Sequence, residues 1–512
     1  MTDGPILREG ETCWRREQAG RMAVIIDAEA YFAHVHEAIL QARHSILLIG
    51  WDFDARILLI RGSGAPAPLA QLGRLLSDVV RRRPDLHVHV LRWDVGFLRL
   101  PFRGSTPFFV LNLLAARRLH FRMDSQHPPD GCCHQKILVI DDATAFCGGI
   151  DISDDRWDTR AHRDHEPRRT NSRGKPYGPW HDATTALDGD AARALGELGR
   201  ARWHRATGQH LPPPPPAIDI WPKALAPQFR EVAVAVARTE PAFDGQAGVR
   251  EVEALGLAAI AAARRTIYVE SQYFASYRIA AALQARLAEA DGPEVVIVAP
   301  RRADGWLSEQ VMGSARAILL RNLQDADRHG RLRFYTPVTE DGQDIYVHAK
   351  VLVVDDRLLR IGSSNINNRS MGLDTECDIA IEAAPDGDEA MRREILRVRD
   401  GLLAEHLGVA EPVLQEALAA AGGSLVRTLD RLVRPDGRSL RPFAPPPLGA
   451  VERNLAETHL LDPDHPESMD EAFTRTRRVL RPALPYALSA ASLALAAILL
   501  VRRARRRVTS SP

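Results

Sequence analysis

HQKILVIDDATAFCGGIDIS at residues 134–153 and HAKVLVVDDRLLRIGSSNINNRS at residues 348–370 are two copies of one pattern. Each opens His-x-Lys, runs through four apolar residues and reaches Asp: His134, Lys136 and Asp141, then His348, Lys350 and Asp355. In an extended chain, residues two apart share a face, so each His and Lys pair points the same way. The apolar run continues as a buried strand, and the Asp opens the turn after it. The return segment brings a small pair, Gly148-Gly149 or Gly362-Ser363, back beside the histidine. Glycine there leaves room for a phosphate against the backbone. A doubled His and Lys set implies one site built from two half-sites. It also supplies what phosphoryl chemistry needs without a metal: a nucleophile, a proton donor and fixed positive charge.

The repeat extends beyond the motifs. RHSILLIGWDF at 43–53 and RRTIYVESQYF at 264–274 both read as buried strands ending in aromatic and acidic residues. A helical pattern precedes each, at 28–42 and 249–263, and another follows, at 68–82 and 279–289. Further strands come at 86–93 and 294–300. This alternation implies parallel βαβ units. Arg43 to His134 spans 91 residues and Arg264 to His348 spans 84, as a tandem duplication of an α/β domain requires. LPPPPPA at 211–217 favours extended polyproline II and marks the join. The charged stretch at 162–177 reads as a solvated loop forming a lid or entrance wall, with His162 and His165 in it.

The expected organisation is a first α/β domain at 1–210, the linker at 211–217 and a second domain at 218–385. An accessory helical region at 386–482 packs against the second half. Residues 483–501 carry no charge, are just long enough to cross a bilayer and precede a basic tail at 502–512. They are expected to form one transmembrane helix, with the catalytic part on the cytoplasmic side. Sixty-seven basic residues against sixty-six acidic give a net charge of +1, so no nucleic-acid partner is expected. The five cysteines show neither a disulfide framework nor a zinc spacing. His87 and His89 read as strand residues, His181 as positional, and no metal or other cofactor is expected.

The paired motifs resemble those of the phospholipase D superfamily over about residues 14–407. YVESQYF resembles a family segment that places Gln272 near the site. GSSNINNRS resembles the second-motif tail, with Ser363 and Asn365 expected on phosphate. GLDTECDIAI supplies Glu376 and PWHDATTAL supplies Asp182, at the positions of carboxylates that orient the motif histidines. FCGGIDISDDRWDTRAHR is similar to the phosphatidylcholine-cleaving branch of eukaryotes and some bacteria. Gly149 and Asp151 there stand opposite Ser363 and Asn365 of the second copy. The asymmetry implies that the two histidines divide the labour.

The resemblance implies two tandem α/β domains forming a single pseudo-twofold site, and a phosphodiesterase and phosphatidyltransferase acting on glycerophospholipids. One histidine forms a phosphohistidine and the other protonates the leaving alcohol; His134 is assigned as nucleophile and His348 as acid. Lys136 and Lys350 neutralise phosphate oxygens. Asp141 and Asp355 are grouped with the catalytic residues, although turn-capping is an equal reading. The implied partners are a phospholipid at a membrane surface and a water or alcohol acceptor. The alternatives are a cardiolipin synthase-type transferase and a nuclease of the same superfamily.

Overall fold

A computed structural model describes residues 4–62, 67–94, 117–128, 131–216, 219–302, 313–384 and 386–445. Strands Arg15–Ile26 and Phe229–Glu240 run antiparallel at the middle of one sixteen-stranded sheet. Outward from the first lie Ala183–Asp188, Thr144–Gly148, Ile137–Ile140, Ser45–Gly50, His87–Trp93 and Leu119–Asp124. Outward from the second lie Glu376–Glu382, Leu358–Gly362, Val351–Val354, Thr266–Glu270, Glu294–Val298 and Leu332–Val338. In both halves the outer three strands are parallel and the remaining pairings antiparallel. The order and directions match position by position, so a pseudo-twofold passes between the two central strands.

Side-chain alternation builds a core on each sheet face. Leu47 and Ile49 join a cluster that runs across both halves under helices Gly189–Thr207 and Glu389–Leu407. Ile46 and Leu48 face the other way, packing on helices Ala28–Gln41 and Leu72–Arg82. Ile267 and Val269 do the same in the second half, against helices Glu251–Ala262, Tyr277–Ala288 and Ser314–Ala326.

The expected helix at 68–82 is broken: Gln71 is extended and bridges to Leu58, dividing Ala67–Ala70 from Leu72–Arg82. The accessory region also differs from expectation. Strand Ser439–Pro442 extends the second-half edge of the sheet. Helix Glu389–Leu407, however, sends Glu405 across to Arg160 and His162 of the first half. It bridges the halves rather than decorating one. Among the described residues no helix is long and apolar enough to cross a membrane. Residues 483–501 and 502–512, on which that expectation rests, lie outside the described residues.

Candidate active site

Each motif segment leaves its own half for the other. The Cys133 bridge to Thr375 and the His134 N–H, donating to the Thr375 carbonyl at 3.0 Å, dock the first motif onto the second half. Reciprocally, Tyr346–Val347 pairs with Trp180–His181, and the His348 N–H donates to the His181 carbonyl at 2.8 Å. The residue following each docking point is a carboxylate. Glu376 therefore holds His134 Nδ1 at 3.0 Å, and Asp182 holds His348 Nδ1 at 2.7 Å. Both carboxylates are fully buried. A carboxylate on Nδ1 fixes the tautomer that leaves Nε2 available for chemistry.

The lysines differ. Lys136 Nζ lies 3.1 Å from Asp151 and donates to the His134 carbonyl at 3.0 Å. Among the described residues, Lys350 Nζ has no carboxylate in the equivalent place. It donates to the His348 carbonyl and reaches Gln272 Oε1 at 3.4 Å. Asn365, opposite Asp151 in the repeat, donates to that same Gln272 oxygen at 3.5 Å, and its own Oδ1 is buried without a hydrogen-bond partner among the described residues. Lys136 is thus neutralised locally, while Lys350 sits among neutral amides.

Burial pushes the Lys350 ammonium down to about 7, against the opposing pull of Asp182. Below that pH the side chain carries the charge a phosphodiester anion needs. We expect kcat/KM, which reports the free enzyme, to fall as pH rises through this value. Lys350→Arg should move that limb to higher pH, because guanidinium stays protonated. An unshifted limb in a pH series would show that another group controls it.

Several expected contacts fall elsewhere. Ser363 does not reach into the site: its hydroxyl donates to Glu376 Oε2, and Ser370 donates to Glu376 Oε1 at 2.6 Å. The motif glycines make room for neighbours rather than for phosphate. A Cβ on Gly149 would lie 2.2 Å from Asp182 Oδ1, and one on Gly362 would lie 1.9 Å from Asp378 Oδ1. Asp151 points at Lys136, with its other oxygen accepting from the Trp51 N–H at 3.2 Å.

Asp141 and Asp355 sit at the far ends of their strands, away from the histidines, and their grouping with the catalytic residues is corrected. Asp141 accepts from the N–H groups of Arg43, His44 and Ser45, and Asp355 from those of Arg264, Arg265 and Thr266. Both take the left-handed conformation that Asp tolerates in turns. We expect Asp141→Ala to lower unfolding stability by about 2–4 kcal/mol, since several N–H groups lose their acceptor. Turnover per folded molecule should stay within about threefold of wild type. Urea unfolding beside active-site titration checks both.

The electrostatics divide the two histidines. Burial alone would raise the Glu376 carboxyl, but His134 and the Ser363 and Ser370 hydroxyls outweigh it and hold the carboxyl below its usual range. Burial, with Lys350, Arg156, Lys136 and His134 nearby, holds the His348 imidazole well below 6.5. Burial raises its partner Asp182, which Lys350 opposes. Arg156, Trp180 and Tyr346 escaped the sequence reading. Trp180 stacks on Tyr346 at 4.6 Å, lies 5.1 Å from the His348 ring and carries the Arg156 guanidinium at 4.2 Å. Gln272 donates to the Tyr346 hydroxyl at 2.9 Å. The signal was an aromatic two residues before Asp182 and another two residues before His348.

A family model described as "Cardiolipin synthase, PLD-like domain" matches residues 257–395. Phospholipase D A of Dictyostelium discoideum is 24% identical over 459 residues, covering 75% of this chain and 35% of that protein. Phospholipase D alpha 1 of Carica papaya is 25% identical over 524 residues, covering 75% of this chain and 64% of that one. The chain spans between about a third and just under two thirds of these relatives' lengths. Among solved structures, phosphatidylserine synthase of Haemophilus influenzae Rd KW20 superposes with a TM-score of 0.52 at 12% identity. That match covers 81% of this chain and 96% of the other, and it shows a shared fold. These matches support membership of the phospholipase D superfamily.

Proposed function

We propose that this chain is a phosphodiesterase that cleaves glycerophospholipids to phosphatidic acid and free headgroup, and passes the phosphatidyl group to alcohols. The observation that carries the reading is the crossed pairing of His134 with Glu376 and His348 with Asp182, with a lysine beside each histidine. His134 Nε2 attacks phosphorus and the bond to the headgroup oxygen breaks, while His348 delivers a proton to that oxygen. The ionised Glu376 stabilises the positive imidazole ring of the phosphohistidine. His348 then takes the proton from water or an alcohol, whose oxygen displaces His134. Lys136, Lys350 and Asn365 meet the non-bridging oxygens. Substrate anion beside His348 raises its proton affinity, offsetting the depression in the free site.

Similarity to phospholipases D of Dictyostelium and papaya supports the lipid-cleaving reading. The cardiolipin synthase-type match at 257–395 favours a second one, with the same first step and a phosphatidylglycerol acceptor. We further propose that residues 483–501 hold the enzyme at its substrate surface. Purified full-length chain, given phosphatidylcholine vesicles and ethanol, should yield phosphatidylethanol by mass spectrometry. Cardiolipin formation from phosphatidylglycerol alone would favour the second reading. Turnover of no phospholipid, together with cleavage of DNA, would overturn both.

A further inference from the structure

The stretch that follows the first motif is rich in cations, and most have partners. Arg160 pairs with Glu405, Arg168 with Glu166 and Arg169 with Asp158. His162, placed in a solvated loop by its sequence, is instead buried. Arg156 is different. It is half-buried, and among the described residues it meets no carboxylate. Its Nη1 donates to the carbonyl of its own neighbour Asp155 at 3.4 Å, and its Nε is buried without a hydrogen-bond partner among the described residues.

The guanidinium carbon lies 4.2 Å from the centre of the Trp180 ring, and that ring lies 5.1 Å from the ring of His348. A guanidinium held over an aromatic face is fixed without using its N–H donors, which stay in its own plane for an oxyanion. Its charge is felt at the site. Burial and Lys350 come first in lowering the His348 imidazole, and Arg156 adds to them. Arg156 also joins Lys350 in opposing the rise that burial gives Asp182.

The repeat isolates this residue further. Arg156 and Ser370 each stand 22 residues after their motif histidine. Ser370 donates to Glu376 and so braces the carboxylate that holds His134. Arg156 makes no such bond to Asp182 among the described residues. The same position therefore carries a neutral brace beside one histidine and a fixed positive charge beside the other.

The charge balance of the site calls for such a cation. Lys136 and Lys350 share it with Asp151, Asp182 and Glu376. With all five ionised, these groups carry one net negative charge before any substrate enters. A phosphodiester anion adds a second, and like charges cost far more in a water-poor site than in water. Arg156 brings the sum to zero before the substrate arrives.

We propose that Arg156 is a third cation of the active site and binds a non-bridging oxygen of the scissile phosphodiester from the His348 side. The guanidinium fork can engage two phosphate oxygens at once, which the point charge of a lysine does not. This role rests on the phosphodiester-cleaving reading of the site. Tungstate, a phosphate-shaped oxyanion whose binding needs no turnover, separates the two.

Tungstate titrated calorimetrically into the full-length chain should bind wild type, and Arg156→Met should weaken it by about 10–100-fold. Methionine keeps packing against Trp180 and removes the charge, so a packing role alone predicts no change. Arg156→Gln should match Arg156→Met, and Arg156→Lys should lose less. Arg173→Gln, exposed in the following loop, should bind as wild type does. In turnover, Arg156→Met should lower kcat/KM for phosphatidylcholine and phosphatidylserine by factors within about threefold of each other. Equal tungstate affinity in wild type and Arg156→Met would overturn the assignment, as would wild type that binds no tungstate. A loss confined to phosphatidylserine would also overturn it, because the guanidinium would then be reading the headgroup carboxylate. If no phospholipid is turned over but Arg156→Met still weakens tungstate, the role of Arg156 stands and the lipid reading falls. Should Arg156→Met fold poorly, Arg156→Gln against Arg156→Lys makes the same comparison.

Discussion

His134→Asn and His348→Asn should each lower phosphatidylcholine turnover by about 10^4-fold or more, and the double variant should be no slower than either. The reason is the serial use of the two imidazoles. Without His134 no covalent intermediate forms; without His348 the headgroup oxygen leaves unprotonated. Groups that act as one unit are not additive, so removing the second partner costs little once the first is gone. Both side chains sit at the site rather than in the core clusters, and His134 is partly exposed, so the variants should fold. Steady-state kinetics beside circular dichroism tests this. Single variants that each keep about half of the wild-type activity would mean two independent sites, contrary to the crossed geometry.

The second large effect falls on the carboxylates. Glu376→Gln and Asp182→Asn should each reduce kcat by about 10^3–10^4-fold with KM changed less than about threefold. An amide at either position can donate to Nδ1 and so favour the tautomer that blocks Nε2. A purely structural role would change stability without changing ring protonation. Nitrogen NMR of the labelled imidazoles separates the two: Glu376→Gln should alter the His134 tautomer and leave His348 as it was, and Asp182→Asn should do the reverse. Perturbation of the histidine of the same half instead would contradict the crossing. Ser363→Ala should reproduce a milder form of Glu376→Gln, because its hydroxyl donates to that carboxylate.

The repeated motif made the doubled α/β architecture legible, because its spacing recurs inside a wider strand and helix repeat. The outer parallel strands at 45–50, 87–93, 266–270 and 294–298 follow directly from apolar runs flanked by helical patterns. Asp182 and Glu376 were legible as orienting groups, but their partners were not. Which carboxylate meets which histidine depends on Thr375 and His181 accepting from the opposite motif, a pairing between residues 241 and 167 positions apart with no local signature. Ser363 and the motif glycines were misplaced for a related reason. A small residue beside a histidine looks like a phosphate cradle until the neighbouring strand, carrying Asp182 or Asp378, takes the space. His162 was misread because its charged, Gly- and Pro-punctuated surroundings resemble a solvated loop. Its partners Asp27 and Glu405 come from a helix start and from the last turn of a distant helix.

Trapping the covalent intermediate tests the central claim most directly. His348→Ala protein, mixed with phosphatidylcholine and acid-quenched, should carry one phosphatidyl mass on the peptide containing His134. His134→Ala protein should carry none. An adduct on His348 in place of His134 would reverse the assigned roles. Sustained turnover by His134→Ala protein with no adduct on either histidine would contradict the single composite site.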